Sequence, residues 1–442
     1  MGKRQHKKRR KQSPAELAGD YEIYRIGVLD GIRAIAIFLV AWYHIWQQSW
    51  LQPLTEHVNL DWLVRNGSIL VDMMILLSGF CLFLPYARDM VYGDKTDTVS
   101  GFYVKRVARI VPSYYLSVLI VLFAFAIPLS EYGGDTGFMM KDLITHLTFT
   151  NNLFGDVNCM THLNGVLWTV AVEMQLYLIF PLLVWLFRKC PVGTYLGMTA
   201  IGVGSAWYFS SRFYSIDQNL VVNQTLTFFS VFANGMMAAW LYMKYTKMRK
   251  KQTLAEGLAG IVMAIGAVMF FYQMCIARST SGRETQWQLD NRFLLSLVFA
   301  LFVIGMILSH KYFRKILDNR VMKFLAGISF QFYICHQYIA VKLKEFRIPN
   351  WSGDELPNMT GDIKWQWQYT ILCFALSLVV AIAMTYLVEL PAAKVIKKWY
   401  QKKREKKELE NEILYPSIGC NSSEEYLLII LTVPFQSLSM SF

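Results

Sequence analysis

Residues Leu29 to Trp50 read LDGIRAIAIFLVAWYHIWQQSW, and this stretch decides the fold. It is an apolar run of the length, about 20 residues, that carries a helix across the hydrocarbon core of a bilayer. Arg33 stands at its start and a single histidine, His44, deep inside it. At 1.5 Å of rise per residue the helix separates them by about 16 Å. An ionisable group at the depth of His44 is expensive in lipid and marks a functional site by default. Each residue also has a bland reading. Arg33 serves equally as a snorkelling anchor at the membrane surface, and His44 as a packed ring bonded to a neighbouring helix.

The whole chain extends the pattern. Its 442 residues are 55% hydrophobic and 15% aromatic but only 17% charged, against about 25% charged in soluble domains. Long apolar runs alternate with short basic clusters, so the expected fold class is all-α, a polytopic membrane protein with about ten transmembrane helices. Runs of this length exclude barrel strands. The net charge of +13 is read as the signature of cytoplasmic loops, not as a nucleic-acid surface. The seven cysteines, Cys81, Cys159, Cys190, Cys275, Cys335, Cys373 and Cys420, are scattered without a CxxC, so no metal site or disulfide framework is expected. No cleavable signal peptide is expected either, since polar residues follow the basic N-terminus until about Ile26.

Candidate spans fall at 32–50, 68–86, 111–129, 163–187, 192–210, 220–243, 257–276, 293–309, 324–343 and 367–390. Residues 1–25 form a basic arm, 26–396 the membrane domain, and 397–442 a charged extension and a tail of no evident role. Basic residues gather before span 3 (Arg88, Lys95, Lys105, Arg106, Arg109), before span 7 (Lys244 to Lys251), before span 9 (Lys311, Arg314, Lys315, Arg320, Lys323) and after span 10. All lie on the side of the basic arm, which puts both termini in the cytoplasm. The segment 277–292, with Arg278, Arg283 and Arg292, is the exception. The segment 130–162, carrying Asp135, Asn151, Asn152, Asp156 and His162, is the longest on the opposite side and is read as an outer vestibule or a mere connector.

Further polar residues punctuate the spans. Glu173 in span 4 and His336 in span 9 fall at a depth similar to His44, which points to a shared polar site in which a carboxylate orients an imidazole. Asp72 lies in span 2, followed by Ser78-Gly79-Phe80. No GxSxG elbow surrounds Ser78, so packing or substrate contact is preferred to nucleophilic attack. Arg106 and Arg109, three apart, share a helix face just cytoplasmic of span 3. There they read either as inside charge or as a clamp for a polyanion, since a guanidinium fork bonds phosphate in bidentate fashion. Pro112 is read as a first-turn proline.

Five separated stretches, LDGIRAIAIFLVAWYH, VDMMILLSGF, FYVKRVARIVPSYY, LWTVAVEMQLYLIFPLL and LAGISFQFYICHQYIAV, with VELP closing span 10, resemble the acyltransferase-3 family of integral-membrane acyltransferases. Their order and spacing, over about 26 to 396, carry the resemblance. It implies ten core helices and transfer of an acyl group, most simply acetyl, from cytoplasmic acyl-CoA to a carbohydrate or cell-surface glycan. It also implies the bacterial cell membrane as the location. The family's arginine and histidine motif maps onto Arg33 and His44, its RxxR motif onto Arg106 and Arg109, and its SGF element onto Ser78 to Phe80. The Trp, Glu and Tyr element maps onto Trp168, Glu173 and Tyr177, and the SYxxYLxH element onto Ser329, Phe330, Tyr333 and His336. The resemblance thus implies His44 and Glu173 as catalytic residues, and Arg33, Arg106 and Arg109 as contacts of the acyl-CoA. Asp72, Ser78, Trp168, Tyr177, Tyr333 and His336 become substrate contacts. Acyl-CoA enters as a substrate, and no permanently bound cofactor, metal or nucleic acid is expected.

Two departures stand out. The family's FFxLSG reads MMILLSG here, and Phe330 replaces a tyrosine, so no phenol is required at that place. Some relatives carry an extracytoplasmic SGNH hydrolase-like domain, for which this chain has no room, so transfer to the acceptor is expected within the membrane core. The competing function is a transporter or flippase of a lipid-linked sugar, although the inverted repeats common in transporters do not stand out.

Overall fold

The computed structural model describes residues 26–52, 59–94, 96–212, 222–249 and 252–414. The basic arm before Ile26 and the tail beyond Leu414 lie outside the described residues. Among the described residues, ten helices of twenty or more residues form the bundle. They are α1 (Gly27–Ser49), α2 (Leu70–Tyr92), α3 (Val99–Val121), α4 (Trp168–Lys189), α5 (Pro191–Arg212), α6 (Phe229–Met248), α7 (Leu254–Thr280), α8 (Glu284–Leu308), α9 (Arg320–Glu345) and α10, which starts as Ile363–Met384. Nine are long and apolar enough to span a bilayer. The tenth, α5, is diluted by glycine, serine and threonine. The protein is therefore an all-α polytopic membrane protein, its spans closed into helices as lipid requires.

Polar residues start several of these helices. Thr98 accepts from the Gly101 N–H at 3.1 Å to cap α3, and Asn319 and Asp362 cap α9 and α10 in the same way. Thr253 and Glu256 form a reciprocal capping box on α7, the signature of a helix start.

Three sequence expectations change. First, α3 begins at Val99, so Lys105, Arg106 and Arg109 lie inside the helix and Pro112 sits in its interior. The charged turn that looked like a loop is helix, because its cations reach a cavity or the surface. Second, the exceptional segment 277–292 shrinks to residues 281–283 between α7 and α8. Arg278 and Arg292 are buried helix residues with partners, so they are not loop charges at all. Third, α10 does not stop at 390 but runs to Leu414.

The innermost helix is α2, with 83% of its apolar window buried, whereas α10 has only 22%. The tight approach of α2 to α6 is made by two glycines. A Cβ on Gly79 would fall 2.5 Å from the Phe232 carbonyl oxygen, and one on Gly235 2.2 Å from that of Leu76. Small residues at such crossings let helix backbones meet. α1 packs against α2 and α9, and α9 in turn against α10.

Two π-turns interrupt the spans, Leu122–Ala126 after α3 and Thr385–Glu389 within α10. The second has a clear cause. Every fourth residue of α10 from Trp365 to Ala393 is buried, including Ser377, Thr385 and Glu389. Four residues of an ideal α-helix overshoot a full turn by about 40°, so this stripe would rotate away from the bundle. The wider π-turn winds it back and delivers Glu389 to the interior, while Tyr386 and Leu387 face outward.

Candidate active site

The two ends of α1 hold two different polar centres. At the first, Arg33 on α1 meets Arg106 and Arg109 on α3 around a cavity of about 90 Å³. Glu173 and Tyr177 of α4, Ser78 and Cys81 of α2, and Tyr333 of α9 complete its polar wall. Arg33 Nη2 reaches the Cys81 sulfur at 3.5 Å, and Arg106 Nε is buried without a partner. Among the described residues, none of the three arginines forms an ion pair within 4 Å. Three guanidinium groups that face a cavity without contact carboxylates make a site for a polyanion.

The carboxylate of Glu173 is engaged elsewhere. The Tyr177 hydroxyl donates to Glu173 Oε2 at 2.9 Å. Ser78 Oγ lies 3.0 Å from that hydroxyl, and since Tyr177 gives its proton to Glu173, Ser78 is the donor to Tyr177. The serine thus ends a relay on a carboxylate, and no imidazole bonds it.

At the other end of α1, His44 faces His336 of α9, with ring centroids 5.3 Å apart. His44 Nδ1 lies 3.0 Å from Gln47 Oε1 and 3.2 Å from Gln337 Nε2. Placing the proton on Nδ1, where Gln47 accepts it, leaves Nε2 with a free lone pair, the requirement for a base. His336 is fully buried, and its Nδ1 donates to the Tyr333 carbonyl at 2.7 Å. His336 Nε2 is buried and has no partner. The cavity and the histidines adjoin through Tyr333, which lines the cavity and whose ring centroid is 5.5 Å from that of His336.

The structure therefore brings together Arg33, Arg106, Arg109, Ser78, Glu173, Tyr177 and Tyr333, and separately His44 and His336. Three expectations fail. Glu173 does not orient His44; the amides of Gln47 and Gln337 do. Asp72 is fully buried away from the cavity, with Oδ2 3.3 Å from Arg292 Nε. Arg292 also donates to the Val222 carbonyl at 3.0 Å and to the Thr227 hydroxyl, and lies 4.0 Å over the Phe228 ring. An ion pair so enclosed ties helices α2 and α8 together, and neither residue lines the cavity. Trp168 packs on Phe228 at 6.0 Å and is not in the cavity wall.

Sequence reasoning missed four residues. Gln47 lies one turn beyond His44, and Gln337 is the neighbour of His336; glutamines carry no charge signal and were passed over. Gln331 and Glu389 are the others. Gln331 Nε2 donates to Glu389 Oε2 and to Ser113 Oγ, each at 2.8 Å. Glu389 lay in the VELP match without a role, because a regular helix gives no reason to turn it inward.

The segment 130–162 is no open loop. It contains the helix Thr136–Leu147 and a shorter one, Gly155–Met160. Asp142 is buried there, accepting from Tyr132 at 2.9 Å, from Thr161 at 2.8 Å and from the His162 N–H at 3.1 Å, with His146 Nδ1 at 3.0 Å. Burial pushes the Asp142 carboxyl up, and the bonds from His146, Thr161 and Tyr132 outweigh it, holding the group below its ordinary value. Asn152 is fastened to Gln175 of α4 and to the Asn223 carbonyl. Glu131 bonds Lys342, so the segment is tied to the end of α9 beyond His336.

A family model described as an acyltransferase domain matches residues 26–386. The chain belongs to the acyltransferase-3 family. Among its relatives is SACOL0978 of Staphylococcus aureus (strain COL), provisionally named an O-acetyltransferase, 24% identical over 327 residues that make up 70% of this chain and 49% of the relative. The O-acetyltransferase OatA of S. aureus (strain NCTC 8325 / PS 47) is 23% identical over 337 residues, 72% of this chain and 51% of OatA. The acyltransferase MdmB of Streptomyces mycarofaciens is 30% identical over 187 residues, 42% of this chain and 45% of MdmB. The chain spans about half the length of the curated relatives it matches. No solved structure matches it.

Proposed function

We propose that the protein is an O-acyltransferase that moves an acyl group, most simply acetyl, from acyl-CoA to a hydroxyl of a carbohydrate or glycan. The observation that carries this reading is the trio Arg33, Arg106 and Arg109, free of contact carboxylates around one cavity. Phosphates of the donor satisfy those guanidinium groups. The pantetheine arm then runs along α1, whose arginine and histidine lie about 16 Å apart by helix rise. The arginine end is read as cytoplasmic and the histidine end as facing the acceptor, in the bacterial cell membrane.

The chemistry follows from the histidine end. His44 Nε2 takes the proton of the acceptor hydroxyl as its oxygen attacks the thioester carbonyl. The C–O bond forms, the C–S bond breaks, and the imidazolium returns the proton to the departing thiolate, giving the acyl ester and free CoA thiol. Gln47, whose Oε1 accepts from Nδ1, keeps the ring in the tautomer that presents Nε2, and a positioned base of this kind contributes roughly 10²–10⁴-fold. Ser78, Tyr177 and Tyr333, which line the cavity, contact the donor, and Glu173 offsets part of the arginines' charge.

The test is acyl-CoA consumption by purified protein with surface-glycan extracts, followed by mass spectrometry of the glycan. Thiol release together with a gained acyl mass supports the reading. Glycan flux across vesicles without thiol release overturns it in favour of transport.

A further inference from the structure

Among the carboxylates near the cavity's arginines are Glu173, in the cavity wall, and Glu389 of α10. Neither makes an ion pair with an arginine within 4 Å. Each is bound instead to a neutral donor, Glu173 to Tyr177 and Glu389 to Gln331. Glu389 is the more telling case, since it is buried and its partner also reaches the arginine helix α3. Its partner Gln331 spends both amide hydrogens, one on Glu389 and one on Ser113. Ser113 lies one turn beyond Arg109 on the same face of α3, so one side chain of α9 fixes the relation of α10 to the arginine helix. The amide orientation follows from Glu389, because the reverse would set the Gln331 oxygen against a carboxylate. In that orientation Gln331 Oε1 is buried and has no partner, an arrangement that weakens the fold and that an apolar side chain would avoid.

We propose that Gln331 is a latch that holds Glu389 off Arg109 and so keeps the guanidinium open to the donor's phosphates. The inference rests on the donor-site reading of the arginine cavity. Gln331 is a positioning residue; it acts through Glu389 and Arg109. With the latch removed, Glu389 closes on Arg109 and competes with acyl-CoA as an internal anion. The latch therefore sets donor affinity and leaves the histidine chemistry alone.

The experiment measures acetyl-CoA binding and the KM for acetyl-CoA with the full chain in lipid nanodiscs. Gln331→Met, close in volume and without donors, is expected to weaken binding roughly tenfold, the scale of one charge-assisted bond, with saturated turnover retained. Adding Glu389→Gln to that variant removes the competing anion and is expected to restore affinity to within about twofold. Glu389→Gln alone is expected to bind acetyl-CoA as well as or better than the unaltered chain. An unchanged KM in Gln331→Met overturns the latch, as does failure of Glu389→Gln to rescue it, the outcome of a merely structural glutamine. Arg109→Ala separates the two levels of the argument. If it leaves binding intact, the donor-site reading itself falls; if it weakens binding while the rescue fails, only the latch does.

Discussion

Two groups of arginines are sunk in the same bundle and meet opposite fates. Arg292 and Arg278 are 1% and 4% exposed, and both are paired: Arg292 with Asp72, and Arg278 with Asn66 at 2.8 Å and Glu284 at 3.1 Å. Arg33, Arg106 and Arg109 stand around a cavity with a thiol as their nearest recorded partner. Residue type does not separate the groups, and Arg33, Arg106 and Arg109 are half-buried where Arg278 and Arg292 are fully enclosed. What separates them is whether the chain supplies the anion. A guanidinium whose anion is built in ties helices together, and one whose anion is missing waits for a ligand.

The largest effect expected from this contrast is on stability. Arg292→Ala strands Asp72 in the interior and should destabilise the protein by about 3–5 kcal/mol, the range for breaking a buried pair. Thermal melting in nanodiscs checks this, and adding Asp72→Leu should recover much of the loss by removing the stranded charge. Arg109→Ala should do the reverse, leaving the melting point nearly unmoved while acetyl-CoA affinity falls roughly 10- to 100-fold, as for a lost charge-assisted bond of about 1.5–3 kcal/mol. A large melting shift in Arg109→Ala with unchanged affinity would break the distinction.

The smallest effect concerns pH. The Asp142 carboxyl is held below its ordinary value in the fold. Its contribution is therefore present above the unfolded value of about 3.9 and is lost as pH falls through the folded value. Asp142→Asn should melt lower than the unaltered chain at neutral pH, and the gap should close in acid. A gap independent of pH would mean that the carboxylate charge is not what fastens the segment 130–162.

Much of the bundle was legible in the sequence because lipid allows so few solutions. Apolar runs of about 20 residues locate the helices, and Arg33 and His44 do lie on one unbroken helix, α1. The arginine trio was legible as well, once RxxR was read as a helix face. Pairing across helices was not. Asp72 looked like a substrate contact because its partner Arg292, 220 positions away, looked like a loop charge, and the error on one produced the error on the other. Glu173 was matched to His44 by depth alone, whereas azimuth around the helix decides which neighbour it meets. Glu389 was invisible because its inward turn depends on a π-turn, which no residue pattern in VELP announces. Gln47 and Gln337 were missed because the partner of a neutral imidazole need carry no charge.

In the proposed function α1 divides the labour, with donor binding at its arginine end and proton transfer at its histidine end. One measurement tests it most directly: acetyl-CoA binding and acyl transfer recorded on the same nanodisc preparation of His44→Ala. The account predicts affinity within about twofold of the unaltered chain and transfer reduced roughly 10²- to 10⁴-fold, the share of a positioned general base. Transfer at a near-normal rate would contradict it, and so would loss of acetyl-CoA binding together with activity.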